Sequence, residues 1–285
     1  MFPKKVLGLI VLFLVVLAGA AFAEEEVLTL KVMTYNIQIA ATANNPGWVV
    51  ANFDLDGIAE MIREQDPDIV ALQEVDRYRG RSGYVDQVAE LAEKLGMYWA
   101  YSPSYFDYET ANGRGMYGNA ILSKYPIVNQ YYHTLWRRAT LEPGEASWVI
   151  EKRSLLETQI DVNGTIVHAY STHLSTTQDQ RAEQTTEIMS LVAQTKGPKI
   201  IMGDFNSQPD APEMKNLLRR FRDVMEHAEV RSEQRNTYPN GTKADRVIDY
   251  ILVSREWTIK EAQVIADEEG RSDHNPIVAV LVLEK

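Results

Sequence analysis

The sequence predicts an α/β or α+β sandwich in which helices cover the outer faces of β-sheets. Segments typical of strands outnumber segments with helical periodicity, and hairpins mix with strand–helix–strand units. No Pro/Ser-rich linker, low-complexity tract or internal repeat interrupts the chain. Residues 24–285 are therefore predicted to form one domain.

Strands are predicted from β-branched or alternating runs, and helices from apolar residues three or four positions apart. The predicted strands span residues 27–37, 68–72, 98–103, 118–123, 155–160, 165–169, 199–202, 247–253 and 277–283. The predicted helices span residues 54–65, 85–95 and 178–194. The third helix is expected to bury Ala182, Ile188, Met189 and Val192. Residues 136–148 are expected to form a surface loop.

Local signals set several of these boundaries. Asp66-Pro67 ends the first helix, because proline cannot continue it. Gly96 occupies the C-terminal capping position of the second helix. Asn163-Gly164 is a strong hairpin signal between two strands.

Residues 1–23 have the pattern of a secretory signal peptide. Lys4 and Lys5 precede an apolar run that closes with Ala21-Phe22-Ala23, which favours cleavage after Ala23. An uncleaved membrane anchor is the alternative, since the run is near the lower limit for spanning. The protein is therefore expected to be exported, either secreted or held outside the cytoplasm.

Composition restricts the chemistry. The chain has no cysteine, so disulfides, thiolate metal ligands and a cysteine nucleophile are excluded. Without residues 1–23, which contain two lysines and no acids, 27 basic and 40 acidic side chains remain, formally −13. This balance argues against tight nonspecific binding of a polyanion, although a local basic groove is compatible with it.

Polar residues recur where the apolar runs end. Four apolar or near-apolar residues run directly into Gly-Asp-Phe-Asn at 203–206, and five other segments also place a carboxylate, carboxamide or imidazole at the end or in the middle of an apolar run. The residues so placed are Asn36, Glu74, His173, Asp204, Asn206, Asp249, Asp273 and His274. Each alone is explained by turn chemistry, except Asp249, which lies inside an apolar run where its charge needs a partner. Together, oxygen donors without sulfur suit a hard cation, and two histidines beside it suit phosphoester hydrolysis.

The segments resemble, in order, the endonuclease/exonuclease/phosphatase superfamily, the DNase I-like metal-dependent phosphoesterases. The motifs are MTYNI (33–37), LQEV (72–75), GNAILSKYPI (118–127), STHL (171–174), GDFN (203–206), IDYILV (248–253) and SDHNP (272–276). The resemblance implies a four-layer αββα sandwich of two mixed sheets, with the site at one rim.

By this resemblance, Glu74 is the main metal ligand, and Asn36 and Asp273 lie nearby. Mg²⁺ is the expected cofactor, with Mn²⁺ and Ca²⁺ as alternatives. Asp204 and Asn206 would orient the attacking water and contact the phosphate.

The two histidines have separate expected roles. His274, paired with Asp249, would act as general base or contact the phosphate, and Asp204 is an equal candidate for the base. His173 would stabilise or protonate the substrate on the opposite side of the site. Arg153 resembles a phosphate-contacting arginine, and a plain surface arginine is the alternative.

Departures from the family pattern bear on the substrate. Gln38 stands where several nucleases carry an acid, and His173 stands where the DNA-repair branch uses a tyrosine. The chain is therefore nearer the DNase I and sphingomyelinase branches, and no protein partner is inferred.

Three functions are compatible with these residues. The first is a phosphodiesterase acting on a lipid headgroup or small phosphodiester, with Trp136 and Trp148 as candidates for transient membrane-surface contact. Aromatic residues between 98 and 117 are read mainly as sheet packing. The second is an exported nuclease with a basic groove formed by Arg77, Arg79, Arg81 and Arg114. The third is a non-catalytic binding module on the same fold.

Overall fold

The computed structural model describes residues 27–42, 53–110, 113–146 and 150–284. The predicted signal segment, residues 1–23, and Trp148 lie outside the described residues. No helix within those ranges is long and apolar enough to cross a membrane.

Twelve strands and five helices make up this described part of the chain. The strands are β1 (Val27–Asn36), β2 (Ile69–Arg77), β3 (Tyr98–Thr110), β4 (Gly113–Ser123), β5 (Ile127–Thr134), β6 (Ser154–Val162), β7 (Thr165–His173), β8 (Lys199–Asp204), β9 (Arg222–Asp223), β10 (Asp249–Val253), β11 (Trp257–Val264) and β12 (Ile277–Glu284). The helices are α1 (Leu55–Gln65), α2 (Gln87–Leu95), α3 (Gln178–Val192), α4 (Pro212–Leu218) and α5 (Val224–His227).

The strands form two six-stranded sheets. Sheet 1 has the order β11-β12-β1-β2-β4-β3, and sheet 2 has the order β5-β6-β7-β8-β10-β9. The pairs β1–β2 and β7–β8 are parallel and the other neighbours are antiparallel. Both sheets are therefore mixed, which confirms this part of the prediction.

Alternation of side chains explains the layers. Along β1, Leu30 and Val32 point into the core between the sheets, whereas Met33 and Tyr35 pack with α1 and α2 on the outer face. α3 and α4 cover the outer face of sheet 2 in a third apolar cluster. Burying each large aliphatic side chain contributes about 1.5–3 kcal/mol. One apolar core between the sheets and one under the helices on each outer face make the four-layer αββα sandwich.

The predicted turn and cap signals hold in the structure. Asp66 ends α1 in the left-handed region at φ 46°, and Gly96 ends α2 at φ 65°. Asn163 and Gly164 join β6 to β7 with φ 52° and 88°, the positive values that a tight hairpin turn requires. Residues 136–146 form no helix or strand, as expected for that part of the loop.

Two long edge strands, β5 and β11, were not predicted. Most side chains of β5 are exposed, and β11 has only its first residue buried. An edge strand is held on one side by backbone hydrogen bonds. Because these bonds do not involve side chains, they produce no apolar pattern in the sequence.

The prediction for the third helix is wrong at Ala182, which is exposed. The buried face of α3 includes Gln180 and Gln184 beside Ile188 and Val192. The Gln184 side chain accepts from the Ser175 amide at 2.9 Å and donates to the Trp136 carbonyl at 2.8 Å. α3 therefore anchors two loops with polar groups that a hydrophobic pattern does not reveal.

Candidate active site

Strand direction brings the candidate residues of sheet 1 to one rim. β1 and β2 are parallel, so Asn36 and Glu74 lie at the same end of the sheet. β12 is antiparallel to β1 and begins where β1 ends, with Ile277 opposite Thr34. The loop that carries Asp273 and His274 immediately precedes β12.

Sheet 2 contributes the other candidates at the same rim. β7 and β8 are parallel and end at register partners, His173 and Asp204. β10 is antiparallel to β8, so Asp249 lies opposite Asp204. Asp249 is the first residue of β10, which corrects the expectation that it lies inside a strand. A side chain at Gly203 would overlap the Thr172 carbonyl, so only glycine fits beside Asp204.

A β-bulge in β2 aims Glu74. The register of β2 with β4 shifts between Leu72 and Val75, and Glu74 has φ 56°. Gln73 then points inward and donates to the Ser171 hydroxyl at 3.2 Å across the sheets. Such bulges re-aim side chains next to functional sites.

His274 and Asp249 form a buried pair, with Nδ1 of His274 2.9 Å from Oδ2 of Asp249. Burial alone lowers the pKa of His274, but the charge and hydrogen bond of Asp249, with the charge of Asp204, raise this pKa to about 10. His274 is therefore an imidazolium at neutral pH. Its Nε2 faces Asp204 Oδ2 at 3.7 Å.

Asp204 lies at the centre of the site. Its Oδ1 accepts from the Asn206 amide at 2.8 Å, and its Oδ2 accepts from Asn36 Nδ2 at 3.1 Å. Burial and the neighbouring charge of Asp249 raise the pKa of Asp204 to about 7, although His274 opposes this shift. Its carboxyl group is therefore set to exchange a proton near neutral pH.

His173 and Asn206 occupy the other side of Asp204. Nδ2 of Asn206 donates to Nε2 of His173 at 3.0 Å and to the Leu174 carbonyl at 3.1 Å. The carboxylates of Glu74 and Asp204 lie within 4.0 Å of the His173 ring. Burial and the positive charges of Arg153 and His274 nevertheless lower the pKa of His173 well below its usual value. Desolvation is decisive because the ring is buried, so His173 is neutral with its proton on Nδ1.

Glu74 and Asp273 fit a divalent cation. Their side chains are 21% and 29% exposed, and both line the pocket. Within the described ranges Asp273 Oδ1 is buried and has no hydrogen-bond partner. Burial and the charge of Asp273 raise the pKa of Glu74, and burial raises the pKa of Asp273. A cation would offset both costs, and carboxylate oxygens are the donors that Mg²⁺ prefers.

Asn36 connects this pair to Asp204. Its Nδ2 donates to Glu74 Oε1 and to Asp204 Oδ2, each at 3.1 Å, and its Oδ1 accepts from the Gln38 amide. Asn36 thereby fixes the spacing between the two carboxylates.

A second grouping, Asp204, Asp249 and His274, has ligand atoms that all lie within 4.8 Å of one another. In this grouping Nδ1 of His274 is hydrogen-bonded to Asp249, which leaves Nε2 as the ring atom that faces Asp204. Asp204 and Asp249 are also only 2% exposed. Glu74 and Asp273, whose carboxylates both line the pocket, are the alternative cation ligands.

Arg153 is buried and lines the same pocket, which argues against a plain surface role. It lies 3.6 Å from Glu151. Tyr117, also buried, lines the same pocket, and burial and the charge of Glu74 raise its pKa well above the usual value. Arg153 thus brings a positive charge to a pocket that is also lined by Glu74, Glu151, Asp204 and Asp273.

A polar network holds the loop of Asp273 and His274 against β1. Ser272 donates its hydroxyl to the Asn36 carbonyl at 2.6 Å and accepts from the His274 amide at 3.3 Å. Buried Asp267 accepts from the Ser272 amide at 3.1 Å and from the Tyr35 hydroxyl at 3.2 Å. These bonds fix the backbone that carries both site residues.

The pocket that unites these residues has a volume of about 760 Å³. Tyr238, which was not predicted from the sequence, also lines it, and its ring centre lies 4.9 Å from that of His274. Tyr238 lies in an irregular segment with no periodic pattern, so no sequence signal identified it.

The four arginines proposed for a basic groove separate in the structure. Arg77 pairs with Asp86 at 2.6 Å and stacks on Trp99 at 4.8 Å. The other three, Arg79, Arg81 and Arg114, line one cavity beside the site.

The aromatic residues of β3 and β4 divide between packing and exposure. Tyr101 and Tyr117 are buried, whereas Tyr98, Trp99, Tyr105 and Phe106 are exposed. Sheet packing therefore accounts for only part of this set.

Known proteins share this sequence pattern and this fold. A model of the Endonuclease/Exonuclease/phosphatase family matches residues 33–274. Sphingomyelinase C from Bacillus cereus is 28% identical over 200 residues, which are 62% of this chain and 57% of that protein. The chain thus spans little more than half the length of this relative.

Two further matches cover different shares of the chain. Protein cwh43 of Schizosaccharomyces pombe is 28% identical over 148 residues, 51% of this chain and 14% of that protein. The crystal structure of an endonuclease/exonuclease/phosphatase from Beutenbergia cavernae DSM 12333 has a TM-score of 0.70 and 26% identity. That alignment covers 90% of this chain and 72% of the other.

Proposed function

Because the chain belongs to the endonuclease/exonuclease/phosphatase family, we propose that it is a divalent-metal-dependent phosphodiesterase acting on a lipid headgroup or another small phosphodiester. The observation that carries the proposal is the position of Asp204. It lies between a charged His274–Asp249 pair and a neutral His173–Asn206 pair in one pocket. The signal-like residues 1–23 add the proposal that the enzyme is exported.

Glu74 and Asp273 would hold the cation, with Asn36 beside them. When bound, Mg²⁺ would supply neutralisation of charge on the phosphate, with Mn²⁺ and Ca²⁺ as alternatives. Asn36 keeps Glu74 apart from Asp204, so one carboxylate serves the cation and the other remains for proton transfer.

Asp204 is the stronger of the two candidates for the base. His274 is already protonated and cannot accept a proton, whereas Asp204 ionises near neutral pH. Asp204 takes a proton from water as the water oxygen bonds to phosphorus. The ester P–O bond breaks, its electron pair stays on the leaving oxygen, and that alkoxide takes a proton from solvent water to leave as an alcohol. His274 donates from Nε2 to a phosphate oxygen, and Asp249 keeps it charged.

His173, Asn206 and Arg153 bind the phosphate from the opposite side. Neutral His173 donates through Nδ1–H, since Nε2 accepts from Asn206. Its lowered pKa keeps the ring neutral, so its remaining N–H can donate a hydrogen bond. A neutral ring is poorly suited to act as the acid. Arg153 adds a fixed positive charge at the pocket wall.

Similarity to sphingomyelinase C supports a lipid-headgroup substrate. Trp136 is 42% exposed in the loop after β5, and nearby Leu141 is 38% exposed, as transient contact with a membrane surface requires. A secreted nuclease is the second candidate, because Arg79, Arg81 and Arg114 line a cavity near the site. A non-catalytic binding module is the third candidate, and turnover of any substrate would refute it.

The test is a phosphorus NMR time course with Mg²⁺ on mixed phospholipid vesicles and DNA together. The wild type is compared with His274→Ala and with His227→Ala, an exposed histidine outside the site. Loss of a lipid phosphodiester signal with the wild type and the control, but not with His274→Ala, is expected. Cleavage of DNA alone favours the nuclease, equal turnover by His274→Ala refutes the site, and no turnover favours the binding module.

A further inference from the structure

The active-site pocket has one wall that takes no part in the proposed chemistry, and we name it the α3–α4 wall. The loops after β7 and β8 and the beginning of α3 form it. Its described residues are Thr176, Gln178, Arg181, Gln208 and Asp210. The first loop leaves β7 at His173, and the second passes through Asn206. An ester arm of a phosphate held by His173 and Asn206 therefore lies beside this wall.

Arg181 is the cation of the α3–α4 wall, and its guanidinium is held in place by the protein. Its Nε donates to Glu213 Oε1 at 2.9 Å, and its Nη1 donates to the Thr176 carbonyl at 2.8 Å. Among the described residues Nη2 has no hydrogen-bond partner. The Arg181 side chain is only 12% exposed. A donor fixed in this way can bind a ligand without losing side-chain freedom.

Glu213 ties Arg181 to the rest of the fold. This buried carboxylate also accepts from the Ser207 hydroxyl at 2.8 Å, and the Ser207 carbonyl accepts from the Tyr250 hydroxyl at 2.7 Å. Burial alone would raise the pKa of Glu213, but the hydrogen bonds from Arg181 and Ser207 lower it. Glu213 is therefore ionised at neutral pH, and the wall has its shape before a substrate binds.

The charges of the α3–α4 wall favour hydroxyl groups over a second anion. Glu213 offsets the charge of Arg181, and the exposed carboxylate of Asp210 adds negative charge. Gln178 and Gln208, both exposed, offer amide donors and acceptors. A hydroxyl group both donates and accepts hydrogen bonds. A group with several hydroxyls can therefore bind Arg181 and Asp210 together.

The aromatic residues of the pocket do not favour a quaternary ammonium. Among the described lining residues they are Tyr117 and Tyr238. The guanidinium of Arg81 lies 5.0 Å from the ring centre of Tyr117, and that of Arg246 lies 5.2 Å from the ring centre of Tyr238. A choline group would meet positive charge where a cage offers open aromatic faces.

We propose that the α3–α4 wall is a polyol subsite, an inference that rests on the proposed function. The substrate is a phosphodiester in which one ester arm is a glycerol, inositol or sugar group. The phosphate lies at Asp204 and His274, and hydroxyls of that arm accept from Nη2 of Arg181 and donate to Asp210. An arm without hydroxyls would leave these polar groups unpaired, which is a strong basis for discrimination.

Matched pairs of soluble phenyl phosphodiesters test the subsite. The second arm is glycerol against n-propanol, myo-inositol against cyclohexanol, or glucose joined through its primary hydroxyl against cyclohexylmethanol. Both members of a pair compete in one tube with Mg²⁺, and phosphorus NMR follows both signals, so cleavage of either ester bond is counted. We expect kcat/KM to be at least about tenfold higher for the polyol member of at least one pair.

Three variants connect this ratio to the wall. Arg181→Met combined with Glu213→Gln removes the ion pair without changing the net charge and should bring the ratio close to unity. Asp210→Ala changes an exposed side chain and should also lower the ratio. Lys94→Met combined with Asp56→Asn removes an ion pair of 2.8 Å between α2 and α1, outside the pocket, and should keep the ratio.

The ratio does not depend on the fraction of folded enzyme, because both substrates meet the same molecules. Hydrolysis by the wild type without preference for a polyol in any pair overturns the subsite and leaves the proposed function intact. A retained ratio in the Arg181/Glu213 variant also overturns it, and the Asp210 variant decides in the same way if the double variant does not fold. Faster hydrolysis of phenyl phosphocholine than of every polyol diester would show that the proposal is wrong. No hydrolysis of any diester refutes the proposed function and the subsite together.

Discussion

Nδ1 of His274 lies 2.9 Å from Oδ2 of Asp249, and both side chains are buried. At this depth the attraction between the charges is weakly screened. Asp249 therefore keeps His274 protonated, although burial alone would lower the pKa of the imidazole. This pair determines the charge that faces Asp204, and the first two predictions follow from it.

Asp249→Asn should lower kcat by about 10²- to 10⁴-fold, because the amide cannot hold His274 as an imidazolium. The pKa of His274 should fall, so the alkaline limb of the activity profile should move to lower pH. Steady-state kinetics across pH measure both effects. Asp223→Asn, a buried aspartate of β9 outside the pocket, is the control. An unchanged alkaline limb in Asp249→Asn would refute the role given to the pair.

The wild-type activity profile should be bell-shaped. Asp204 must be ionised to accept a proton, so activity should rise as pH increases through about 7. His274 must stay charged, so activity should fall as pH rises through about 10. Protons compete with the cation at Glu74 and Asp273, whose pKa values are raised. Higher Mg²⁺ concentration should therefore move the acid limb to lower pH, and a limb independent of Mg²⁺ would contradict this assignment.

Removal of the cation ligands should abolish stabilisation by Mg²⁺. A ligand that binds only the folded state at about 100 times its Kd adds about 2.7 kcal/mol. Thermal unfolding of the wild type should show a Mg²⁺-dependent rise in Tm, which Glu74→Gln and Asp273→Asn lose. Glu261→Gln, at an exposed position of β11, should retain the rise. A full rise in Glu74→Gln would place the cation elsewhere.

Asp223 should make stability depend on pH. Burial raises its pKa from 3.8 to about 6, against the opposing effect of its bond from the Met225 amide. Its stabilising contribution is thus complete below the unfolded pKa and is lost as pH rises through about 6. The free energy of unfolding of Asp223→Asn should exceed that of the wild type by up to about 3 kcal/mol at about pH 7.5. At about pH 4 the two values should differ little.

Unfolding by urea at both pH values measures this difference. Asp245→Asn, at an exposed position, serves as the matched control and should show no comparable gain. A gain for Asp223→Asn that is the same at both pH values would show that burial of its charge is not the cause.

Much of the site was predictable because strand ends carry their own signals. The apolar run before Asp204 and the loop before β12 both mark where backbone leaves a sheet, and the alternation along β1 gives the two buried faces. The caps at Asp66 and Gly96 are local as well, since they depend on backbone conformation within one turn.

Other features had no local signal. β5 is an exposed edge strand, and α3 buries glutamines whose partners lie in distant loops. Tyr238 reaches His274 from an irregular segment. Each of these features depends on contacts with residues that are distant in the sequence. The same side chain in other surroundings would not have the same role.

Two properties can be read from the amino-acid sequence alone: polar residues stand at the ends of the strands, and thiol chemistry is absent. Other properties arise only on folding. Asn36 contacts Asp204, 168 positions away, and three arginines of one region line a common cavity while Arg77 binds Asp86. Periodicity in the sequence specifies which face of an element is buried. The parallel and antiparallel register of the strands specifies which buried ends meet.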